Sequence, residues 1–172
     1  DLSFWILNDA MPDATLLASR GSSAPVVGVV QRALIARGYW VSTSGVFDDS
    51  TQQAMWAFQK VNRRSRTGTI TAGDYRALLA ASRPSPRSSS GDVAEVDIDR
   101  QVIFMVRGGR TLWVFNTSTG SERPYTVEGT TQVAHTPRGR FSILRVQDGM
   151  RIGRLGSLWR PRYFTPDGVA FH

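Results

Sequence analysis

The stretch Ser82-Arg-Pro-Ser-Pro-Arg-Ser-Ser-Ser-Gly91 separates two halves of the chain that carry different periodicities. It offers no large apolar anchor, and its proline, serine and glycine content reads as a connector. Before it, apolar residues recur every three or four positions; after it, they recur every second position. This change of period predicts a helical domain followed by a β domain. The division is an unassigned segment over 1–24, a three-helix domain over 25–81, a linker over 82–91 and a mostly β, sandwich-like domain over 92–172.

Working outward toward the amino terminus, Val27, Val30 and Leu34 share one helical face. Pro25 suits the first turn of that helix, where no amide donor is needed. Gly38 stops it, and Tyr39-Trp40 follow as apolar anchors. Ser42-Thr-Ser-Gly45 reads as a turn. Ser50-Thr-Gln-Gln53 fits a capping box, which starts the second helix there. Its apolar face is Ala54, Phe58 and Val61, with Trp56 off the stripe. Thr71-Ala-Gly-Asp74 is a second, weaker cap before a helix carrying Tyr75, Leu78 and Leu79. Gly45-Val-Phe47 and Gly68-Thr-Ile70 each precede a capped amphipathic helix, so the domain holds an internal echo. A domain of about 60 residues has only a marginal core. In the first 24 residues, Phe4, Trp5, Ile6 and Leu7 could pack on other elements, and no function is assigned to them.

Toward the carboxyl terminus, Ala94, Val96 and Ile98 alternate with Glu95, Asp97 and Asp99, the pattern of a half-buried strand. Val102–Val106 and Thr111–Phe115 flank Arg107-Gly-Gly-Arg110, and a Gly-Gly pair between two β-rich runs signals a hairpin. Thr136-Pro-Arg-Gly139 is a turn feeding a run over Phe141–Val146. Val169-Ala170-Phe171 is a short apolar strand ending in His172. A histidine at a strand end is held by a rigid element and titrates near neutral pH, so it suits a general base.

Composition narrows the function classes. The 172 residues carry a formal charge of +7, almost wholly from arginine, since Lys60 is the sole lysine. Such a balance attracts polyanions. The arginines are dispersed and no nucleic-acid-binding motif is present, so no nucleic-acid partner is expected. There is no cysteine, which excludes disulfides, thiolate metal sites and a cysteine nucleophile within these residues. His135 and His172 are the only histidines, so a multi-histidine zinc site is not expected, and no cofactor is called for. His135, before the Thr-Pro turn, reads as a turn or solvent residue rather than a catalyst. No apolar run is long enough for a transmembrane segment.

The landmarks Gln31, Leu34, Gly38-Tyr39, Gly45-Val-Phe47, Thr51, Ala54, Phe58-Gln59, Gly68 and Leu78 resemble the peptidoglycan-binding domain 1 family, a three-helix module found on many cell-wall enzymes. Asp48 departs from that family, which often has glycine after the Gly-x-Phe turn. The resemblance implies a peptidoglycan partner. Most aromatic landmarks read as core, but Trp40 and Trp56 lie beside or off the apolar stripe and are the candidate glycan-binding residues.

The second half resembles the L,D-transpeptidase catalytic domain, or YkuD fold. The matching pieces are Val96–Ile103, the hairpin, Ser118-Thr-Gly120, Thr136–Phe141 and Gly168–His172. They cover the first part of that domain. In the family, a Ser-His-Gly-Cys motif with the nucleophilic cysteine lies just beyond the position of His172. The resemblance implies a secreted or cell-envelope enzyme that acts on peptidoglycan tetrapeptide stems through a cysteine acyl-enzyme, giving 3→3 cross-links. It implies that His172 works with that cysteine. It also implies that Trp159, Arg160, Arg162 and Tyr163 lie where a lid covers the stem-binding cleft. Trp159 and Tyr163 could equally cap the sandwich. Lacking cysteine, these 172 residues alone are expected to be inactive. The alternative reading is a non-catalytic peptidoglycan-anchoring protein.

Overall fold

A computed structural model describes residues 11–153 and 156–172. Phe4, Trp5, Ile6 and Leu7 lie outside the described residues. The chain forms two compact units, one ending at Ser118 and one running from Thr119 to His172.

Among the described residues, the first unit holds three helices, α1 (Pro25–Ala36), α2 (Asp49–Val61) and α3 (Ala72–Ala80). Its strands are β1 (Leu16–Ala18), β2 (Ile70–Thr71), β3 (Asp92–Asp97), β4 (Val102–Arg107) and β5 (Arg110–Asn116). The short β1 pairs antiparallel with β2, so the segment before residue 25 is fastened to the start of α3. Pro25 opens α1 with no side-chain cap, as its missing amide allows.

One helix start differs from expectation. Asp48, not Ser50, caps α2: its carboxylate accepts from the Thr51 amide at 2.9 Å. The capping-box spacing Ser50-Thr-Gln-Gln53 falls inside the first turn, because an aspartate two residues earlier can reach the same orphan amides. Thr71 and Asp74 form the reciprocal box at α3. Along α2 the buried face is Thr51, Ala54, Met55, Ala57, Phe58 and Gln59; Val61 is only half-buried.

Helices and first sheet share one core. Val27, Val30, Leu34, Tyr39, Phe47, Met55, Phe58 and Leu78 cluster with Val102, Phe104, Val106 and Val114. Tyr39 meets Phe58 edge-on at 5.8 Å. After α1, the chain runs beside β5: Val114 N donates to Gly38 O at 2.7 Å, and Trp40 N to Val114 O at 3.3 Å. Lys60 adds a clip, donating from Nζ to the Gln101 carbonyl at 3.1 Å and the Thr117 carbonyl at 3.0 Å. Burial and the neighbouring Arg66 push its pKa down.

Residues 82–91 form neither helix nor strand, yet they are tied at both ends. Arg83 donates to the carbonyls of Thr111 and Leu112, and Glu95 accepts from the amides of Arg87 and Ser88. The compact units therefore divide after Ser118 rather than at this segment. Polar side chains that saturate backbone carbonyls can order a stretch whose composition offers no apolar anchor.

β3, β4 and β5 form an antiparallel meander. Gly108 and Gly109 both take positive φ, 54° and 77°, as a two-residue primed hairpin turn requires. In β3 the expected alternation is overturned. Ala94 is exposed, whereas Val93 packs on the core. Asp97 is nearly buried and receives Arg100 at 2.9 Å, while Glu95 fastens the connector. Acidic side chains face inward here because each has a donor waiting.

The second unit contains β6 (Pro124–Val127), β7 (Thr130–Val133), β8 (Arg145–Val146), β9 (Met150–Gly153), β10 (Gly156–Trp159), β11 (Arg162–Tyr163) and β12 (Ala170–Phe171). They make two hairpins, β6–β7 and β9–β10, and a three-stranded sheet in the order β12-β11-β8. The run Phe141–Val146 pairs over Arg145–Val146 alone. Its apolar residues are exposed, so no packed face extends the strand. Phe164 links Phe141 and Phe171, with ring centroids 5.4 and 5.2 Å apart.

Candidate functional site

In the first unit, Trp40 is half exposed and stacks on Phe115 at 6.1 Å. With Ser50, Gln53, Val114 and Asn116 these rings line a groove between α2 and β5. Asn116 Nδ2 donates to Gln53 Oε1 at 2.7 Å, while the buried Asn116 Oδ1 has no partner among the described residues. Trp56 is placed differently. It is half-buried, and a Cβ added at Gly68 would run into its indole nitrogen. The two tryptophans singled out by sequence thus part: one borders a groove, the other covers a turn. Gln53 and Asn116 escaped sequence reasoning because each is an ordinary polar residue until α2 and β5 bring them together.

In the second unit, His172 directly follows β12, and its side chain is exposed. β12 pairs with β11, setting Arg162 opposite Phe171. Asp148 gathers the two candidate arginines. Its Oδ1 receives Arg160 at 3.1 Å and Arg162 at 3.3 Å. Hydrogen bonds from Arg160 and then Arg162 hold its carboxyl below the usual range. Arg160 has a left-handed φ of 48°, and Arg162 also donates to the Gln147 carbonyl at 3.0 Å. Trp159, at the end of β10, is 60% exposed. Tyr163 is buried beneath the Arg145 guanidinium, 4.0 Å from the ring centroid, so its ring is a packing element. Sequence reasoning missed Asp148, since a lone aspartate beside a glycine reads as a turn.

His135 Nδ1 lies 2.8 Å from a Glu122 carboxylate oxygen in an exposed loop pair. The hydrogen bond to His135 lowers the pKa of Glu122. The described residues contain no group of three or more potential metal ligands of the histidine, cysteine, aspartate or glutamate type. No helix among them is long and apolar enough to cross a membrane.

The first unit is thus a three-helix module joined to an antiparallel meander, and the second is built of small antiparallel sheets. Residues 23–78 match the peptidoglycan binding domain family. A crystal structure of the L,D-transpeptidase (residues 123–326) from Xylanimonas cellulosilytica DSM 15894 is 40% identical and superposes with a TM-score of 0.84. The match covers 92% of this chain and 78% of that one. The chain belongs to the L,D-transpeptidase family. A fused zinc-dependent amidase/peptidase/peptidoglycan-binding protein from Clostridium acetobutylicum ATCC 824 is 16% identical, with a TM-score of 0.38, over 80% of this chain and 72% of that one. No protein of curated function matches the chain.

Proposed function

We propose that this chain is the wall-binding and substrate-facing part of an enzyme that cross-links peptidoglycan stems. The observation that carries the reading is the 40% identity, which runs through the helical module and the β portion together. On this reading the protein works in the cell envelope as a secreted enzyme. Its helices hold peptidoglycan, while its second unit faces the tetrapeptide stem. Arg160 and Arg162 suit a ligand rich in carboxylates, which would compete with Asp148 for their donors. Trp159 supplies an exposed apolar face beside them.

The chemistry needs a thiol, which the family carries beyond the position matched by His172. A thiol of pKa near 8.5 is mostly protonated at neutral pH, so an imidazole must take its proton. The thiolate then attacks the carbonyl between the third stem residue and the terminal D-alanine. The carbon–nitrogen bond breaks, D-alanine leaves with a proton, and a thioester remains. The side-chain amine of a neighbouring stem attacks the thioester, an amide forms, and the thiolate is released. His172 is the base in this scheme.

These 172 residues contain no cysteine. The expected result is therefore no D-alanine release when this chain meets tetrapeptide stems, read by mass spectrometry. In a longer form carrying the cysteine, His172→Ala should slow acyl-enzyme formation by about 10²-fold or more. Unchanged acylation would remove the histidine from the mechanism. A non-catalytic anchoring role is the second reading. It rests on the match of residues 23–78 to the peptidoglycan binding domain family alone, and is separated from the first by whether the encoded protein carries a nucleophilic cysteine.

A further inference from the structure

The groove between α2 and β5 has a composition that the catalytic reading does not use. Every residue lining it is uncharged: Trp40, Ser50, Gln53, Ala54, Val114, Phe115 and Asn116. The carboxylates of a stem peptide would find no cationic partner on such walls. An N-acetylated sugar has no charge, an apolar ring face and one amide.

The groove supplies a counterpart for each. The Trp40 indole, braced by Phe115 at 6.1 Å, keeps half its surface exposed for a ring to stack on. Gln53 is exposed, and its Oε1 is already engaged by Asn116, which leaves its Nε2 as a free donor among the described residues. Asn116 retains an acceptor, Oδ1, that no protein group satisfies. A donor and an acceptor on two coupled amides are the complement of an acetamido group. Unsatisfied buried acceptors are uncommon and call for an explanation.

We propose that this groove is a saccharide subsite for an N-acetylated amino sugar of the glycan strand, built jointly by the helical module and β5. The inference rests on the peptidoglycan-binding reading and names the part of the polymer that is recognised. It gives the helices a reason to share a core with the first sheet, since half the subsite comes from each.

The test uses the full chain with two probes, intact sacculi and a β-1,4-linked N-acetylglucosamine tetramer that carries no peptide. Sedimentation reads the first and calorimetry the second. Wild type should bind both. Trp40→Ala and Gln53→Ala should each bind the tetramer roughly tenfold more weakly or worse, and Trp40→Tyr should recover much of the loss. Gln53 is exposed, so its variant tests the idea even if Trp40→Ala fails to fold. Binding to sacculi without binding to the tetramer would overturn the subsite and leave peptidoglycan binding standing. Tetramer binding indifferent to Trp40 and Gln53 would also overturn it. Failure to sediment with sacculi would remove the underlying reading and the subsite together.

Discussion

The helical module solves one problem twice, with the residue types exchanged. At the first turn, Gln31 of α1 accepts from Gly45 N through Oε1 at 2.9 Å and donates through Nε2 to Val46 O and Thr51 Oγ1, each at 2.9 Å. At the second, Gln59 of α2 accepts from Gly68 N at 3.0 Å and donates to Thr69 O and Asp74 Oδ2, each at 3.2 Å. Both glutamines are fully buried. Both glycines have positive φ, 74° and 66°. The apolar residue two positions on, Phe47 or Ile70, is fully buried in each case. The caps are swapped: Asp48 at the N-cap with Thr51 three residues later, then Thr71 at the N-cap with Asp74 three residues later.

The swap matters because it moves a charge. Asp48 sits at the rim and is solvated by hydroxyls: Ser42, Ser44, Ser50 and Thr51 all donate to it. Asp74 is 4% exposed and relies on Arg64, at 2.7 Å, with Gln59 and Thr71. One architecture thus tolerates a carboxylate at either cap position, but only the inner one becomes a structural keystone. The sharpest way to break the equivalence is Asp74→Ala against Asp48→Ala. The first strands a half-buried guanidinium and a buried amide, and should cost about 3 kcal/mol. The second removes a cap that water can partly replace, and should cost about 1 kcal/mol. Urea unfolding followed by helical circular dichroism measures both. Equal losses would dissolve the distinction.

The glycines sharpen the same contrast at a smaller scale. An added Cβ at Gly45 meets nothing within 4 Å, whereas at Gly68 it runs into the Trp56 indole. Both alanine variants bear the left-handed backbone penalty of about 1 kcal/mol. Gly68→Ala should cost about 2 kcal/mol in all, because Trp56 must also move. Trp56→Ala placed beneath it should return the excess and leave Gly45→Ala unaffected. If the two glycine variants are equally destabilised, Trp56 is no cover for the turn.

Much of this was legible in the chain. The echo of Gly45-Val-Phe47 and Gly68-Thr-Ile70 located both turns, and the period of Val27, Val30 and Leu34 located α1. What escaped was the role of Gln31 and Gln59. A buried amide looks like a surface residue in a pattern of apolar and polar letters, because its partners lie 14 and 9 residues away. Asp48 was visible only as a departure from a family habit, and its cap became evident once α2 was seen to start at Asp49. In β3, alternation pointed to the wrong face, since Asp97 and Glu95 find donors that no local rule announces. For the candidate site, the strand leading to His172 was readable from Val169-Ala170-Phe171. The pairing of Arg160 and Arg162 through Asp148 was not, because the β9–β10 hairpin lies between them.

The smallest expected effect is also the one most specific to the outer cap. Burial alone would raise the Asp48 pKa, but the Thr51 amide and the hydroxyls of Ser42, Ser50 and Thr51 outweigh it and hold the carboxyl well below its ordinary range. A carboxyl depressed in the folded state stabilises the fold fully above its unfolded value, near about 4. That contribution drains away as pH falls further, through the lower folded value. Asp48→Asn keeps an N-cap acceptor yet cannot titrate there. Wild type should therefore exceed the variant by up to about 1 kcal/mol at neutral pH, with the gap narrowing from pH 4 downward. Taking the difference cancels the other depressed carboxyls of this unit, Asp13, Glu95 and Asp97, which titrate in both proteins. Unfolding at pH 7, 4 and 2.5 decides the matter. A gap that stays constant across that range would mean the hydroxyl cradle at the first turn does not favour the charged form, and that the two caps differ in position without differing in electrostatics.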